Sequence, residues 1–149
     1  MRTARALILA ATAASVLLAA HPAAAAGPSV ELGLGADWLT SPGDGAFQLT
    51  LAGDQRLNQT FSWGGRIGLL ALTGPGRLGV PIDARLRGHF GRIYVEGLVG
   101  PWVVFNDDDP LRFHAGIGFG LVTRSLTVGL EVGYLNPTAM VGLRVAFPL

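Results

Sequence analysis

Eight segments of this chain alternate between apolar residues and polar or small residues with a period of two. The predicted strands are residues 29–39, 46–53, 60–72, 79–90, 92–105, 111–122, 125–134 and 139–147, with the end of the second the least defined, somewhere within 54–59. This period places successive side chains on opposite faces of an extended strand, whereas an amphipathic helix has a period of 3.6. Most segments reach the roughly 9 to 11 residues that a tilted strand needs to cross a bilayer. The chain is therefore predicted to be all-β.

The connections between these segments alternate in character. Turn-rich joins at residues 40–45, 73–78, 106–110 and 135–138 lie at one end, which we call the looped end. Minimal turns at Gly91 and at Thr123-Arg124 lie at the opposite end, which we call the turn end. An even number of strands joined in sequence, with both termini on one side, predicts an antiparallel up-and-down barrel.

The first 26 residues have the features of a cleavable secretory signal. They combine an arginine-bearing start, an apolar core over residues 6–20 and small residues at Ala24 and Ala26. An apolar core of about 15 residues is shorter than the roughly 20 of a transmembrane helix. The predicted organisation is a signal peptide at 1–26 and one barrel domain at 27–149. The chain has no cysteine, which excludes a lipidated cysteine and any disulfide.

The alternation leaves open whether the apolar face looks into a protein core or out into lipid. No charged residue falls on the apolar face, whereas the opposite face carries charges and about a dozen glycines. Glycine on a wet strand surface costs about 0.5 to 1 kcal/mol relative to alanine, but inside a narrow barrel it makes room for larger side chains. Without Arg2 and Arg5, the chain contains nine arginines, no lysine and ten carboxylates, which gives a net charge near −1. Arginine suits bidentate pairing in a closed space. The charged face is therefore predicted to line the lumen, and nucleic acid is not an expected partner.

Aromatic residues of the apolar face concentrate near the strand ends. Two such girdles at the lipid headgroups are typical of a transmembrane barrel. The looped-end girdle comprises Trp38, Phe47, Phe105, Phe113 and Tyr134, and the turn-end girdle comprises Phe61, Phe90 and Phe147. Together with the signal peptide, these girdles favour a transmembrane barrel over a soluble one.

The inward charges form the main candidate site. The predicted lumen network consists of Glu31, Arg66, Asp83, Arg85, Arg87, Glu96, Arg112, Glu131 and Arg144. The strand registers, and therefore the individual pairs, are open at this stage. An unpaired charge in a space that excludes bulk water costs several kcal/mol, so we predict connected salt bridges that plug the lumen. The alternative is a polar path for ions or small solutes.

Other polar residues give weaker signals. His89 and His114 fall toward opposite ends of their strands and are expected to be hydrogen-bonded inside the lumen, not to bind a metal. Three successive carboxylates at Asp107, Asp108 and Asp109 are expected to form a solvated turn, because calcium loops space their ligands at alternate positions. No cofactor, metal or catalytic residue is predicted, and the chain is not expected to be an enzyme.

The final strand resembles a known assembly signal. Val141, Leu143, Val145 and Phe147 alternate with Met140 and small or charged residues up to an aromatic near the end of the chain. This pattern resembles the C-terminal insertion signal of outer-membrane β-barrel proteins, which implies recognition by the barrel-assembly machinery. The sequence departs from that pattern because two residues follow the aromatic and Met140 stands where a polar residue is usual.

The whole mature chain resembles small eight-stranded outer-membrane barrels of the OmpA-like and OmpX-like kind. The resemblance implies a monomer in the outer membrane of a Gram-negative bacterium, in contact with lipid and lipopolysaccharide. It also implies a structural, membrane-stabilising or surface-interaction role without catalysis. Two alternatives stay open: a narrow solute channel, and a soluble periplasmic lipocalin-like barrel that binds a ligand.

Overall fold

The computed structural model describes residues 28–74 and 76–149, which form one closed antiparallel barrel with its strands in chain order. The strands are β1 (Ser29–Leu39), β2 (Gly45–Arg56), β3 (Phe61–Leu72), β4 (Arg77–Phe90), β5 (Ile93–Val104), β6 (Leu111–Val122), β7 (Thr127–Leu135) and β8 (Thr138–Pro148). The predicted signal peptide at 1–26 lies outside the described residues. Within those residues, no helix is long and apolar enough to cross a membrane. The predicted fold class, an eight-stranded up-and-down barrel, is confirmed.

The predicted strand boundaries agree with the structure to within two residues except at β2. This strand continues to Arg56, beyond the predicted end at residue 53, because its register with β3 extends to the pair Arg56↔Ser62. The extension brings Asp54 onto the inward face of the sheet, where its side chain is buried. The alternation of apolar and polar residues ends at Gly53, but the pairing of β2 with β3 continues to Arg56.

The barrel closes between its first and last strands. β1 pairs with β8 from Glu31↔Pro148 to Leu39↔Met140, so no strand edge of the sheet is left open. The connection of β4 to β5 has only two residues, 91–92, and Gly91 has a φ of +66° that suits a residue without a side chain. As predicted, the looped end holds the connections that follow β1, β3, β5 and β7.

The inside and outside of this barrel are reversed relative to a soluble protein. The charged residues of the strands all have the inward parity, whereas large apolar side chains stand on the outer face, with Leu69 64% and Ile117 61% exposed. Buried charges include Arg66 at 5% and Glu131 at 0% exposure. A lipocalin-like arrangement, with the apolar side chains lining a ligand cavity, is therefore wrong for this chain.

Candidate functional site

The lumen of the barrel is divided into three layers along its axis. At the looped end lies an apolar layer that we call the lumenal cap. Its eight side chains are at most 4% exposed and come from the looped ends of six strands: Leu39, Ala46, Leu70, Leu72, Trp102, Val104, Leu135 and Met140. The central cluster comprises Asp37, Gln48, Arg66, Asp83, His114, Glu131 and Arg144. The turn-end cluster comprises Glu31, Asp54, Arg85, Arg87 and Glu96.

Arg66 is the hub of the central cluster. Its guanidinium donates to Asp83 Oδ2 at 3.0 and 2.8 Å, and to Glu131 Oε2 at 2.7 Å. Arg66 and Asp83 are directly opposite each other on the neighbouring strands β3 and β4, whereas the pair of Arg66 with Glu131 joins β3 to β7 across the lumen. Charge-assisted bonds of this kind stabilise only if every partner is present, since a lone buried charge costs several kcal/mol.

His114 and Trp102 complete the hydrogen bonding of Asp83. Asp83 Oδ1 lies 2.7 Å from His114 Nδ1 and accepts the indole N–H of Trp102 at 3.1 Å. The other ring nitrogen of His114 lies 3.3 Å from Glu131 Oε1. Because both ring nitrogens face carboxylate oxygens, the doubly protonated imidazolium fits this position. The expectation that His114 lies hydrogen-bonded in the lumen is thus met by the geometry.

Arg144 extends the central cluster to the seam between β8 and β1. Its Nε donates to Glu131 Oε2 at 3.0 Å, and its Nη2 lies 2.6 Å from Asp37 Oδ1. The side-chain amide of Gln48 donates to the second oxygen of Asp37 at 2.5 Å. The central cluster thereby joins seven of the eight strands, every one except β5, and spans the closing pair of the barrel.

The turn-end cluster is a second connected set of ion pairs. Arg85 makes a bidentate contact to Asp54, at 3.0 and 2.5 Å, and also reaches Glu31 at 3.2 Å. Arg87 bonds Glu31 at 2.9 Å and Glu96 at 2.9 Å. The phenol ring of Tyr94 lies under the Arg87 guanidinium at 4.6 Å. Each cluster contains three carboxylates and two arginines. The central cluster also contains His114, which lies next to two of its carboxylates, whereas the turn-end cluster contains no histidine.

A small polar cavity separates the two clusters. Its volume is about 30 Å³, and its walls include Arg66, Arg144, Arg87, Thr50 and Tyr94. A cavity needs roughly 10 to 15 Å³ to hold one water molecule, so this space has room for about two waters. It is too small for an organic solute, and the lumenal cap lies beyond it toward the looped end.

Glycines on the inward face provide the space that the large polar side chains occupy. A Cβ built on Gly118 would lie 2.8 Å from the Glu96 side chain, and one built on Gly129 would clash with the Tyr94 hydroxyl. A Cβ on Gly35 would lie 2.7 Å from Arg144 Nη1. The predicted role of these glycines, to make room for charged and aromatic side chains from other strands, is confirmed.

Arg112 is the one residue of the predicted lumen network that joins neither cluster. It bonds Asp107 at the looped end, and Asp107 Oδ1 also lies 2.8 Å from Arg77. Arg112 has the inward parity, but it occupies the second position of β6, where its side chain reaches the 105–110 loop. The other eight predicted network residues all belong to the central or turn-end cluster.

The ion pair at the looped end shifts the acidity of Asp107. Removal from water raises the pKa of this carboxyl, but the hydrogen bond and charge of Arg112, with the charge of Arg77, outweigh that effect. The pKa of Asp107 is therefore held below its usual range. Asp108 and Asp109 are exposed. Within residues 28–74 and 76–149, no three acidic or histidine side chains converge as metal ligands.

The second histidine lies at the turn end, as expected. His89 Nε2 is 3.2 Å from the hydroxyl of Ser62, a contact that the sequence did not suggest. Ser62 is 2% exposed. In the described part of the chain, no hydrogen bond joins His89 to a carboxylate that would orient its ring for acyl transfer.

The aromatic residues predicted for the two girdles all stand on the outer surface. Their exposure ranges from 40% at Phe147 to 59% at Phe47. The looped-end set is Trp38, Phe47, Phe105, Phe113 and Tyr134, and the turn-end set is Phe61, Phe90 and Phe147. They flank a belt of exposed leucine, isoleucine and valine side chains.

Two parts of the lumen were missed by sequence reasoning. Asp54 was omitted because the hydropathy pattern ended its strand too early. The lumenal cap was missed because inward positions were treated as uniformly polar or small. Residue parity is the signal that identifies it: Leu70 and Leu72 share the parity of Arg66 and therefore share its face.

Comparisons with known proteins identify the fold and no family. No protein-family model matches the chain, and no curated protein is similar to it in sequence. Among solved structures, a de novo designed transmembrane β-barrel superposes with a TM-score of 0.64 at 11% identity, covering 81% of this chain and 95% of the designed one. The outer-membrane enzyme PagL gives 0.60 at 12% identity, covering 80% and 98%.

The N-terminal β-barrel domain of Pseudomonas aeruginosa OprF gives a TM-score of 0.56 at 14% identity, covering 81% of this chain and 97% of that domain. These similarities extend over nearly the whole of each matched barrel. The chain therefore has the eight-stranded closed-barrel fold that these membrane proteins share.

Proposed function

We propose that this chain is an integral barrel of the outer membrane of a Gram-negative bacterium, with a plugged polar lumen and a structural, membrane-stabilising or surface-interaction role. The observation that carries the proposal is the continuous apolar belt on the outer face, combined with the inward placement of the charged strand residues. Soluble monomers rarely expose apolar patches above a few hundred Å². Here the apolar surface surrounds the barrel, as a hydrocarbon environment requires.

The filling of the lumen supports a role without solute passage. An eight-stranded barrel is only wide enough for side chains to fill its interior. In this chain the cap, two ion-pair clusters and a cavity of about 30 Å³ occupy that interior. A hydrated ion would have to displace the apolar cap and break buried ion pairs, each at a cost of several kcal/mol.

A non-enzymatic role is also part of the proposal. The Ser62 hydroxyl and His89 ring form the one serine–histidine hydrogen bond among residues 28–74 and 76–149, and Ser62 is almost fully buried. A nucleophile needs access to its substrate and a base held in place by a third group. This pair has neither in the described structure, so we propose that it is structural.

The proposed partners follow from the surface. Lipid chains cover the apolar belt, the looped end contacts the lipopolysaccharide leaflet, and the C-terminal strand β8 is offered to the barrel-assembly machinery during insertion. The looped-end connections are short, the longest being the six residues between β5 and β6. They leave little surface for an elaborate receptor site, and we propose that the barrel is a monomer.

The test begins with membrane fractionation and gel mobility with and without boiling. We expect the protein in the outer-membrane fraction, soluble only in detergent, with a band that shifts on heating because closed barrels often stay folded in detergent. Recovery from the periplasm without detergent would contradict the proposal. Purified protein in planar bilayers then separates the plugged barrel from the narrow channel, since steady single-channel conductance is expected only of the channel.

A further inference from the structure

The two ends of the barrel carry charge of opposite sign. At the turn end, each of the three hairpin connections has one exposed arginine: Arg56 at the end of β2, Arg92 between β4 and β5, and Arg124 between β6 and β7. In the part of the chain that the structure describes, none of the three has a carboxylate within 4.0 Å. The turns themselves contain no acidic residue. At the looped end, by contrast, Asp107 engages both nearby arginines.

An apolar groove lies on the outer face, beside the hairpin of β4 and β5 that carries Arg92. Its volume is about 340 Å³, and its lining is almost entirely apolar. The principal lining residues, all on β3 to β6, are Phe61, Leu86, Gly88, Phe90, Gly97 and Ile117. The groove exists because two glycines interrupt a surface of large side chains.

The strand registers show how the glycines shape this groove. Gly88 lies directly across from Phe61, and Gly97 lies between Leu86 on one neighbouring strand and Ile117 on the other. A Cβ built on Gly97 would meet no atom within 4 Å, so the space above it is open. The depression is thus walled by side chains that rise on both sides of it.

We propose that this groove, with Arg92 at its rim, binds an anionic phospholipid of the leaflet at the turn end. Arg92 follows the groove residue Phe90 by two positions, whereas Arg56 has the inward parity of β2 and lies across from the buried Ser62. One acyl chain occupies the groove, and the phosphate accepts hydrogen bonds from the Arg92 guanidinium group, which matches phosphate geometry. The phenylalanines lie at the depth where aromatic side chains meet headgroups.

Charge complementarity favours an anionic phospholipid over a zwitterionic one in this groove. Arginines near an anionic membrane surface each favour binding by roughly fivefold, whereas a zwitterionic lipid gains less from the same contacts. Arg92 has no competing ion pair among the described residues, so its charge is available to the headgroup. The proposal rests on the membrane placement proposed above.

Fluorescence of Trp63 provides a local readout. Trp63 is on the outer face directly across from the groove residue Leu86 and is 37% exposed. Trp38 lies at the opposite end, and Trp102 is fully buried in the lumen. In a Trp38→Phe background, quenching by lipids brominated on their acyl chains therefore reports contact at Trp63.

The experiment uses phosphatidylcholine vesicles that contain the refolded full-length barrel and a minor fraction of dibrominated lipid. We expect dibrominated phosphatidylglycerol to bind near Trp63 about fivefold more strongly than dibrominated phosphatidylcholine for each arginine that contacts the headgroup. Arg92→Gln should remove most of this preference. The matched control Arg56→Gln removes the same charge at the same end, but at an inward position of β2, and should retain the preference.

A second pair of variants tests the groove itself. Gly97→Val fills the open space and should reduce the preference, while Gly53→Val, also on the outer face with no atom near its Cβ, should not. An equal loss with Arg92→Gln and Arg56→Gln, or no effect of Gly97→Val, would overturn the localised site.

The same measurement separates this proposal from the membrane placement. If neither brominated lipid quenches Trp63, the outer face is not in lipid and the proposed function fails as well. If both lipids quench it equally, the barrel is in the membrane and only the anionic-lipid site is overturned.

Discussion

The lumenal cap and the central cluster both lie inside the same barrel, but they are held together by different forces. The cap is stabilised by removal of apolar area from water and by close packing. The central cluster depends on ion pairs that bridge non-adjacent strands, such as Arg66 to Glu131. Apolar packing tolerates substitution by a side chain of similar volume. Removal of a single charge from an ion-pair network, by contrast, leaves its partner buried and unpaired. The two layers should therefore respond very differently to the same kind of mutation.

Trp102 marks the boundary between these layers. Its ring packs within the cap, while its indole N–H donates to Asp83 of the central cluster. Its ring also lies 4.5 Å from that of His114, centroid to centroid. An amphipathic aromatic residue is suited to this position because one side is apolar and the other needs a hydrogen-bond donor.

The largest effect is expected from Arg66→Met, compared with Leu70→Met on the same strand. Arg66→Met leaves Asp83 and Glu131 without their shared cation, and the free energy of unfolding should fall by about 3 to 5 kcal/mol. Leu70→Met conserves volume and should cost less than about 1.5 kcal/mol. Urea titration of the refolded protein in detergent micelles measures both, and equal losses would show that the ionic layer is no more sensitive than the apolar one.

A second prediction extends the comparison from the lumen to the outer face. Leu130→Arg, near the middle of β7, should lower the free energy of unfolding in lipid vesicles by about 2 to 4 kcal/mol. Leu121→Arg, one residue from the end of β6, should cost only about 0 to 1 kcal/mol because it lies near the interface. A barrel surrounded by water would show changes within about 0.5 kcal/mol at both sites.

Glycines on the two faces offer a third contrast. Gly129→Ala would push its new methyl group into the Tyr94 hydroxyl, and we expect a loss of about 1 to 3 kcal/mol in stability. Gly53→Ala adds a methyl group to open space on the outer face and should gain about 0.5 kcal/mol, because alanine loses less backbone entropy. Thermal unfolding of the two variants in the same detergent tests the opposite signs.

The smallest effect is expected at the looped end. The pKa of Asp107 is lowered in the folded protein, so its ion pairs contribute stability above the unfolded-state pKa of about 3.9. That contribution is lost as the pH falls through the folded-state value. Asp107→Asn should remove up to about 1 kcal/mol at pH 7 and nothing at strongly acidic pH. Hydrogen exchange of residues 105–110 at the two pH values provides the measurement, and a pH-independent difference would contradict this origin.

Much of the fold could be predicted from the sequence because strand alternation is a local property. The bounds of β1 and β6 were predicted without error, and the position of the charges on one common face follows from parity alone. The individual pairs could not be predicted. Arg66 finds Glu131, 65 residues away, only because barrel closure sets the register of every strand.

The sequence by itself determined that this chain forms a meander of eight strands with one apolar and one charged face, since a period of two fixes side-chain direction residue by residue. Tertiary structure decided which end of the lumen is apolar, and it decided that Asp54 belongs inside while Arg112 pairs with a loop. These outcomes depend on shear and register, which add up over all eight strands and are fixed only when β1 meets β8.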